Sequence, residues 1–415
     1  MSEARSFEKY GQFDDRAREF VVTHPYPPKT WINYLGNRRM FAILSQGGGG
    51  MCFHGDARTG RLTRYHQYRG VPIDHPGLWT YVREKSGTIW SPTFQPCRTK
   101  LDGWKCRHGQ GYSTFEGTYR GLASQATYFV APDDDVMLWT VELHNRRTRA
   151  AQVTVVPYAE FSFLYADEEI RSFHWSKGAL EFSYDPKMAA VKYRYVHPFS
   201  PRRFPVFFSA TRVPDSFTCN RDAFIGPDGT YADPQEVRAA ALGCEDVGGG
   251  SNMACGALAF RATIPPGRRW RVAAVLGAAQ DWRQANRLIR KYRSIKAVDD
   301  QRRKLRAFYA DWNAVLKAKL PDVDMERYVN TWAGYECRQC FEHQRHISSV
   351  HTGMERGGPR TRDSMQDAQA IAHIRPDWAR ELIVENLAYQ HPQGCYVDNY
   401  NKNFPEDFKP HGHHR

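Results

Sequence analysis

A chain of 415 residues, 41% hydrophobic and 13% aromatic, has enough apolar side chain for a large core and is too long for one ordinary domain. Its 58 basic and 45 acidic residues leave a formal charge of +13, a balance that suits nucleic acid, an anionic membrane or a phosphate-bearing substrate. The basic residues are spread along the chain without a nucleic-acid-binding signature, and no apolar run reaches the roughly 18 residues of a membrane span, so we expect neither nucleic acid nor membrane as a partner.

The N-terminus, Met1 to Tyr10, lacks the apolar core of a signal peptide, which points to the cytoplasm. From Tyr10 to about Ala278 the chain is a succession of short strands and turns. Phe20–Thr23, Met40–Leu44, Trp79–Val82, Gln125–Val130, Met137–Leu143 and Gln152–Val156 are rich in β-branched and aromatic residues. Gln46–Gly50, Ala131–Asp135 and Pro265–Gly267 carry turn residues between them. So many strands with few helical stretches predict a large N-terminal β-sandwich over residues 1–280. Within it, Val141–Asn145 and Val153–Val156 read as a hairpin in one sheet, and Trp270–Leu276 as the strand that closes the sandwich.

From Asp281 the period changes. Trp282, Leu288, Ile289, Tyr292 and Ile295, then Leu305, Phe308, Tyr309, Trp312 and Leu316, recur at helical spacing with basic residues between them. The dense basic run Arg283 to Arg306 is then a solvated helix face. Residues 281–322 are expected to form a helical linker. Tyr328–Cys340 predicts a more apolar helix, with Val329, Trp332, Ala333 and Cys337 on one face. Ala368–Ile374 and Trp378–Tyr389 predict two more. Residues 323–415 thus read as the start of a helical domain, and the polar, turn-rich end suggests the front part of something longer.

Nine cysteines, odd in number and irregular in spacing, argue against a disulfide framework. Cys337 and Cys340 have metal or redox spacing, but without a second pair they read as two buried thiols. His411, His413 and His414 have no acidic or thiol partner at ligand spacing, so no metal is expected.

The stretch most suggestive of chemistry is Arg356-Gly-Gly-Pro-Arg-Thr-Arg-Asp-Ser-Met-Gln-Asp367. Gly357, Gly358 and Pro359 break any preceding helix, so the stretch reads as a loop delivering charge to the mouth of a helical core. A carboxylate at Asp363 can accept from two vicinal hydroxyls, and a guanidinium at Arg362 can donate to others or to an anion. The same residues also fit a helix start with Asp363 as N-cap and Gln366 completing a capping-box-like pair.

Tyr10-Gly-Gln-Phe-Asp-Asp15, Arg18-Glu-Phe-Val-Val-Thr23, Trp31-Ile-Asn-Tyr-Leu-Gly36, Gly60-Arg-Leu-Thr-Arg64, Cys106-Arg-His-Gly-Gln-Gly-Tyr112 and Arg362-Asp-Ser-Met-Gln-Asp367 together resemble glycoside hydrolase family 94. That family contains cellobiose, cellobionic acid and chitobiose phosphorylases and the phosphorylase-like region of cyclic β-1,2-glucan synthase. The resemblance covers essentially the whole chain. It implies a galactose mutarotase-like β-sandwich, a helical linker and the first helices of an (α/α)6 barrel. It further implies inverting phosphorolysis of a β-linked glucose disaccharide, cellobiose or cellobionic acid, or of a glucan, giving α-glucose 1-phosphate. Inorganic phosphate is the co-substrate, and no metal or organic cofactor is used. A carboxylate-bearing acceptor would suit a basic protein. Asp363 matches the family's aspartate on the glucosyl unit. Arg356, Arg360 and Arg362 are the candidates for the arginine of that subsite, while Arg362, Gln366 and Asp367 also suit support of the loop. The family's general acid and phosphate ligands match no residue here, and neither Asp398, Glu406 nor Asp407 fits the acid's motif. We therefore assign no catalytic residue and expect the 415 residues to be inactive alone. A homodimer is implied, and the alternative reading is a non-catalytic carbohydrate-binding or dimerisation module.

Overall fold

The computed structural model describes residues 6–163, 180–196, 204–247, 253–343 and 361–394, apart from 56, 58, 59, 66, 69, 70, 73–75, 391 and 392. Among these, twenty strands numbered in chain order precede the long helices. One sheet holds ten strands, in the order β1 (Gly11–Asp14), β2 (Glu19–Val22), β10 (Asp102–Gly109), β11 (Tyr112–Tyr119), β12 (Leu122–Val130), β13 (Val136–Asn145), β20 (Arg269–Ala278), β17 (Val206–Ala210), β16 (Ala190–Val196) and β15 (Leu180–Asp185). A second sheet has the order β18 (Ser216–Asn220), β19 (Ala254–Ile264), β14 (Ala151–Glu160), β8 (Trp79–Glu84) and β9 (Ile89–Trp90). A third is the meander β3 (Ile32–Gly36), β4 (Met40–Ser45) and β5 (Gly50–His54). The pair β6 (Gln67–Tyr68) and β7 (Val71–Pro72) stands apart.

Side-chain alternation builds the sandwich. On β13, Met137, Trp139, Val141 and Leu143 enter the core between the two large sheets, while Val136 and Leu138 face the other way. Aromatic rings fill that core: Tyr128 stacks on Trp139 at 5.9 Å, and Trp139 on Phe208 at 5.5 Å. The predicted hairpin of Val141–Asn145 and Val153–Val156 is not formed. Strand β13 pairs with β12 and β20 in the ten-stranded sheet, whereas β14 pairs with β8 and β19 in the five-stranded one. Their short connection is a corner between layers. Asn145 holds it, donating Nδ2 to Arg149 O and to Ile264 O, both at 2.8 Å. Strand β20 does not close the sandwich from an edge but lies between β13 and β17.

Two short helices, α1 (Arg221–Ile225) and α2 (Gln235–Arg238), cover the outer face of the five-stranded sheet. Helices α3 (Trp282–Lys291) and α4 (Ile295–Trp312) lie on the outer face of the ten-stranded sheet. They bury Leu288 and Ile289, then Val298, Leu305, Tyr309 and Trp312, against Phe129, Leu138, Phe207 and Val275. Part of the basic run is ion-paired: Lys291 and Lys304 hold Asp134 and Asp133 of the β12–β13 turn.

Helix α5 (Val323–Arg327) is capped by Asp322, whose Oδ1 accepts from Met325 N at 2.8 Å. It passes through a π-helical turn, Tyr328–Ala333, into α6 (Gly334–His343). Helices α7 (Thr361–Ile371) and α8 (Pro376–Ala388) then pack in succession. The buried face of the Tyr328–Cys340 stretch is not the predicted one. Thr331, Tyr335, Arg338 and Gln339 are buried, while Val329, Trp332, Ala333 and Cys337 are only half-buried. A π turn holds more residues than an α turn, and this rotates the face. Cys340 is exposed and Cys337 half-buried, so the two thiols are not the buried pair expected.

The tip of the β10–β11 hairpin joins the two halves. Gln110 exchanges amide hydrogen bonds with Asn313 at 2.6 and 3.2 Å and donates to Thr331 O at 2.9 Å. The Tyr335 hydroxyl accepts from Gly111 N at 3.2 Å and lies 2.7 Å from Asn33 Oδ1. Asn33 in turn donates to Gly109 O and Tyr112 O, both at 2.8 Å. Gly111 has φ +76, and a Cβ there would come within 2.6 Å of the Tyr309 ring.

Gly111→Ala should therefore cost about 1–3 kcal/mol in thermal or denaturant unfolding; wild-type stability would show that the tip tolerates a side chain. A second outcome concerns His108, whose ring lies 2.8 Å from Ser113 Oγ. Burial depresses its imidazole from 6.5 to about 4. The folded state thus binds this proton less readily than the unfolded chain. The contribution is complete above about pH 6.5 and is lost as pH falls through about 4. At pH 5 it amounts to about 2 kcal/mol lost relative to pH 7.5. Denaturant unfolding at both pH values should show a correspondingly smaller difference in His108→Asn.

Candidate functional site

Helices α6 and α7 pack against each other, and residues 344–360 between them lie outside the described residues. The end of α6 is polar and buried. Arg338 pairs with Glu342 one turn on, Nε and Nη2 lying 2.9 and 2.8 Å from Glu342 Oε1, with side chains 4% and 0% exposed. Nη1 of Arg338 donates to the Tyr309 hydroxyl, and the guanidinium lies 4.4 Å from the Phe308 ring centroid. Arg338 thus ties α6 to α4 through the Tyr309 hydroxyl and the Phe308 ring, while Glu342 balances its charge from within α6. His343 follows, with Nδ1 3.0 Å from Gln339 O and its ring 5.0 Å from Tyr34 and 4.9 Å from Phe41. Strands β3 and β4 of the small meander therefore support this end of α6.

Asp363 stands in the first turn of α7, its side chain 15% exposed. The helix is already under way at Thr361, so Asp363 is neither its N-cap nor part of a loop, and the capping reading of Asp363 and Gln366 fails. Arg362 lies beside it with Nη1 3.4 Å from Asp363 Oδ1, but its side chain is 81% exposed and points to solvent. Asp367, one turn on, is buried, and Gln366 is exposed. Arg356 and Arg360 lie outside the described residues, as do Asp398, Glu406, Asp407 and the three histidines near the end. Burial, with Asp367 and Glu336 nearby, pushes the Cys337 thiol up. Among the described residues no group of three or more His, Cys, Asp or Glu could hold a metal ion. No described helix is long and apolar enough to cross a membrane.

Among the described residues, Gln339 Oε1, Glu342 Oε2, Ser364 Oγ and Asn386 Oδ1 are buried without a hydrogen-bond partner. Sequence reasoning missed these buried polar groups on α6, α7 and α8. Their signal was the spacing of Arg338 and Glu342, four apart in a helix read only for apolar residues.

The architecture, a large antiparallel sandwich leading into packed α-helices, defines a β-supersandwich joined to a helical domain. A bacterial glucoamylase solved with acarbose shares it, with TM-score 0.51, covering 92% of this chain and 54% of that one at 8% identity, a likeness of fold alone. The chain belongs to glycosyl hydrolase family 94. Residues 18–295 match the model of the family's supersandwich domain, and residues 308–412 that of the superfamily's catalytic domain. It is 28% identical over 385 residues to the N,N'-diacetylchitobiose phosphorylase of Vibrio proteolyticus, covering 92% of this chain and 47% of that protein. To the solabiose phosphorylase of Paenibacillus borealis it is 28% identical over 396 residues, covering 94% and 49%. The chain thus spans about half the length of the curated relatives it matches.

Removing one partner of the Arg338–Glu342 pair strands the other in the core. Arg338→Met should cost about 3–5 kcal/mol, and Arg338→Met with Glu342→Leu should recover most of it. Equal losses in the single and double variants, measured by denaturant unfolding, would remove the pair as the cause.

Proposed function

We propose that these residues form the sugar-gripping part of an inverting family 94 phosphorylase, which moves a hexosyl unit from a β-linked disaccharide to inorganic phosphate. The observation that carries this reading is the placement of Asp363: a nearly buried carboxylate in the first turn of α7, inside the stretch matched by the catalytic-domain model. Relatives named as phosphorylases of diacetylchitobiose, solabiose and cellobionic acid support the substrate class. Cellobiose and cellobionic acid are our first candidates. In domain terms the reading takes 1–280 as the sandwich, 281–322 as the linker and 323–415 as the start of the catalytic helices, in a cytoplasmic homodimer.

The roles follow from chemistry. Asp363 accepts hydrogen bonds from two neighbouring hydroxyls of the glucosyl ring, which fixes the ring against rotation. Arg356 is the first candidate for a cation at the same subsite, and Arg362 the second. Phosphate attacks from the face opposite the leaving oxygen, so inversion needs one protein acid and no base to deprotonate the nucleophile. No residue here is assigned that acid, nor a metal or organic cofactor.

Calorimetry with cellobiose, cellobionic acid and diacetylchitobiose tests the binding role. Charge-assisted hydrogen bonds contribute about 1.5–3 kcal/mol, so Asp363→Ala should weaken the preferred disaccharide about 10- to 100-fold. The purified 415 residues should form no glucose 1-phosphate from disaccharide and phosphate. Turnover by them would place the acid inside this sequence, and unchanged binding by the variant would end the role given to Asp363.

A further inference from the structure

A groove of about 280 Å³ opens on the outer face of the five-stranded sheet, remote in the fold from α7. The sheet register builds it. Thr154 on β14 is opposite Arg83 on β8 on one side and Arg261 on β19 on the other. Two residues earlier, Gln152 is opposite Thr263, and Lys85 N donates to Gln152 O. Residues two apart share a face, so two parallel rows line the groove: Arg83, Thr154, Arg261 and Lys85, Gln152, Thr263. Strand and residue spacings make the patch about 10 Å across the strands and about 7 Å along them. That is the footprint of one hexose ring with a substituent.

The same face continues into Tyr81, Val156 and Ala259, which Phe224, Val237 and Leu242 cover. The groove begins where that cover stops. Its wall is marked by Arg83, whose Nε donates to Arg238 O at 2.9 Å.

Charge gives the groove its chemistry. Three of the lining residues are cations and none is a carboxylate. Arg83 donates to the backbone carbonyls of Arg238 and Glu84, and neither neutralises its charge. The Lys85 and Arg261 side chains are exposed and form no hydrogen bond or ion pair with the other described residues. The Glu84 carboxylate is committed to Arg147, at 2.9 and 2.7 Å. Asp215 beside the groove gives an oxygen to the Arg261 backbone N–H at 2.7 Å. The Arg261 guanidinium and the remaining Nη donors of Arg83, on either side of the Thr154 hydroxyl, suit an oxyanion, and the amide and second hydroxyl suit a polyol.

We propose that this groove is a binding site for an anionic sugar, a hexose bearing a phosphate or a carboxylate. Arg83 and Arg261 hold the oxyanion over Thr154, and Lys85, Gln152 and Thr263 meet the ring. The site stands apart from Asp363 and does not depend on the phosphorylase reading.

Calorimetric titration of the whole chain with glucose 1-phosphate, glucuronate, inorganic phosphate and glucose, at low and high salt, tests it. We expect glucose 1-phosphate or glucuronate to bind more tightly than phosphate or glucose, and more weakly as salt rises. The tighter of the two tells a phosphate site from a carboxylate site. Arg261→Gln with Lys85→Gln should weaken that binding at least tenfold. Arg261→Lys, which keeps the charge, should retain part of it. Both side chains are exposed, so circular dichroism and the melting temperature should stay at wild-type values; if the double variant does not fold, each single variant carries the same test. Phosphate binding as tightly as the sugar anions would overturn the sugar assignment. No binding by either sugar anion, or binding indifferent to the groove variants, would overturn the site. Loss in Asp363→Asn alone would move the binding to α7.

Discussion

Everything about this site depends on how a β-hairpin tip is held by helices. Gln110, Asn313 and Thr331 O form a closed set of amide hydrogen bonds, and Tyr335 ties Gly111 to Asn33. Buried amides are costly to leave unpaired, so these groups specify one docking and penalise any shifted one. The apolar cluster beneath, from Phe129 and Val275 to Leu305 and Tyr309, supplies non-directional adhesion. The polar set supplies the register. The helical half is thereby oriented by the sandwich rather than joined to it by a loose tether.

That orientation reaches the candidate site through α6. Arg338, its charge balanced by Glu342 on the same helix, is held by Tyr309 and Phe308, so α6 cannot slide or rotate against α4 without breaking a buried hydrogen bond and a cation–π contact. His343 then ends the helix against Tyr34 and Phe41 of the meander. Asp363 stands in the first turn of the next helix, which packs on both α6 and α8. A carboxylate meant to hold a sugar must not move with its ligand, and a helix packed on both sides is a firmer support than a loop.

The two halves handle charge in different ways. In the helical half buried charges are paired or close to other polar groups, and most of the basic run on α3 and α4 faces solvent or pairs with Asp133 and Asp134. On the five-stranded sheet three cations share a face with hydroxyl and amide groups and no carboxylate. Sheet alternation makes such a surface: every second residue of β8, β14 and β19 must face outward once the others fill the core. The net charge of +13 is therefore carried at distinct places with distinct chemistry.

The sequence alone was enough for the strands, because alternation and β-branched residues are local signals; Met40–Leu44, Gln125–Val130 and Met137–Leu143 all lie in strands. It was enough for α3 and α4, whose buried stripes repeat at helical spacing, and for the motifs that resemble family 94. It did not determine which sheet each strand joins. The Val141–Asn145 and Val153–Val156 segments have equally good strand patterns, and only the packing of two layers sends them apart. Nor did it show the π turn that rotates α6, since hydrophobic periodicity assumes one constant pitch. Asp363 could be picked out as a residue but not placed in a helix, because cap and first-turn positions draw on the same side chains. The groove of Arg83, Thr154 and Arg261 is built by residues far apart in the chain and brought together by register alone. Local propensity acts over a few residues, whereas layer assignment, helix phase and cross-strand neighbours come from contacts between distant segments, and these only the tertiary structure decided.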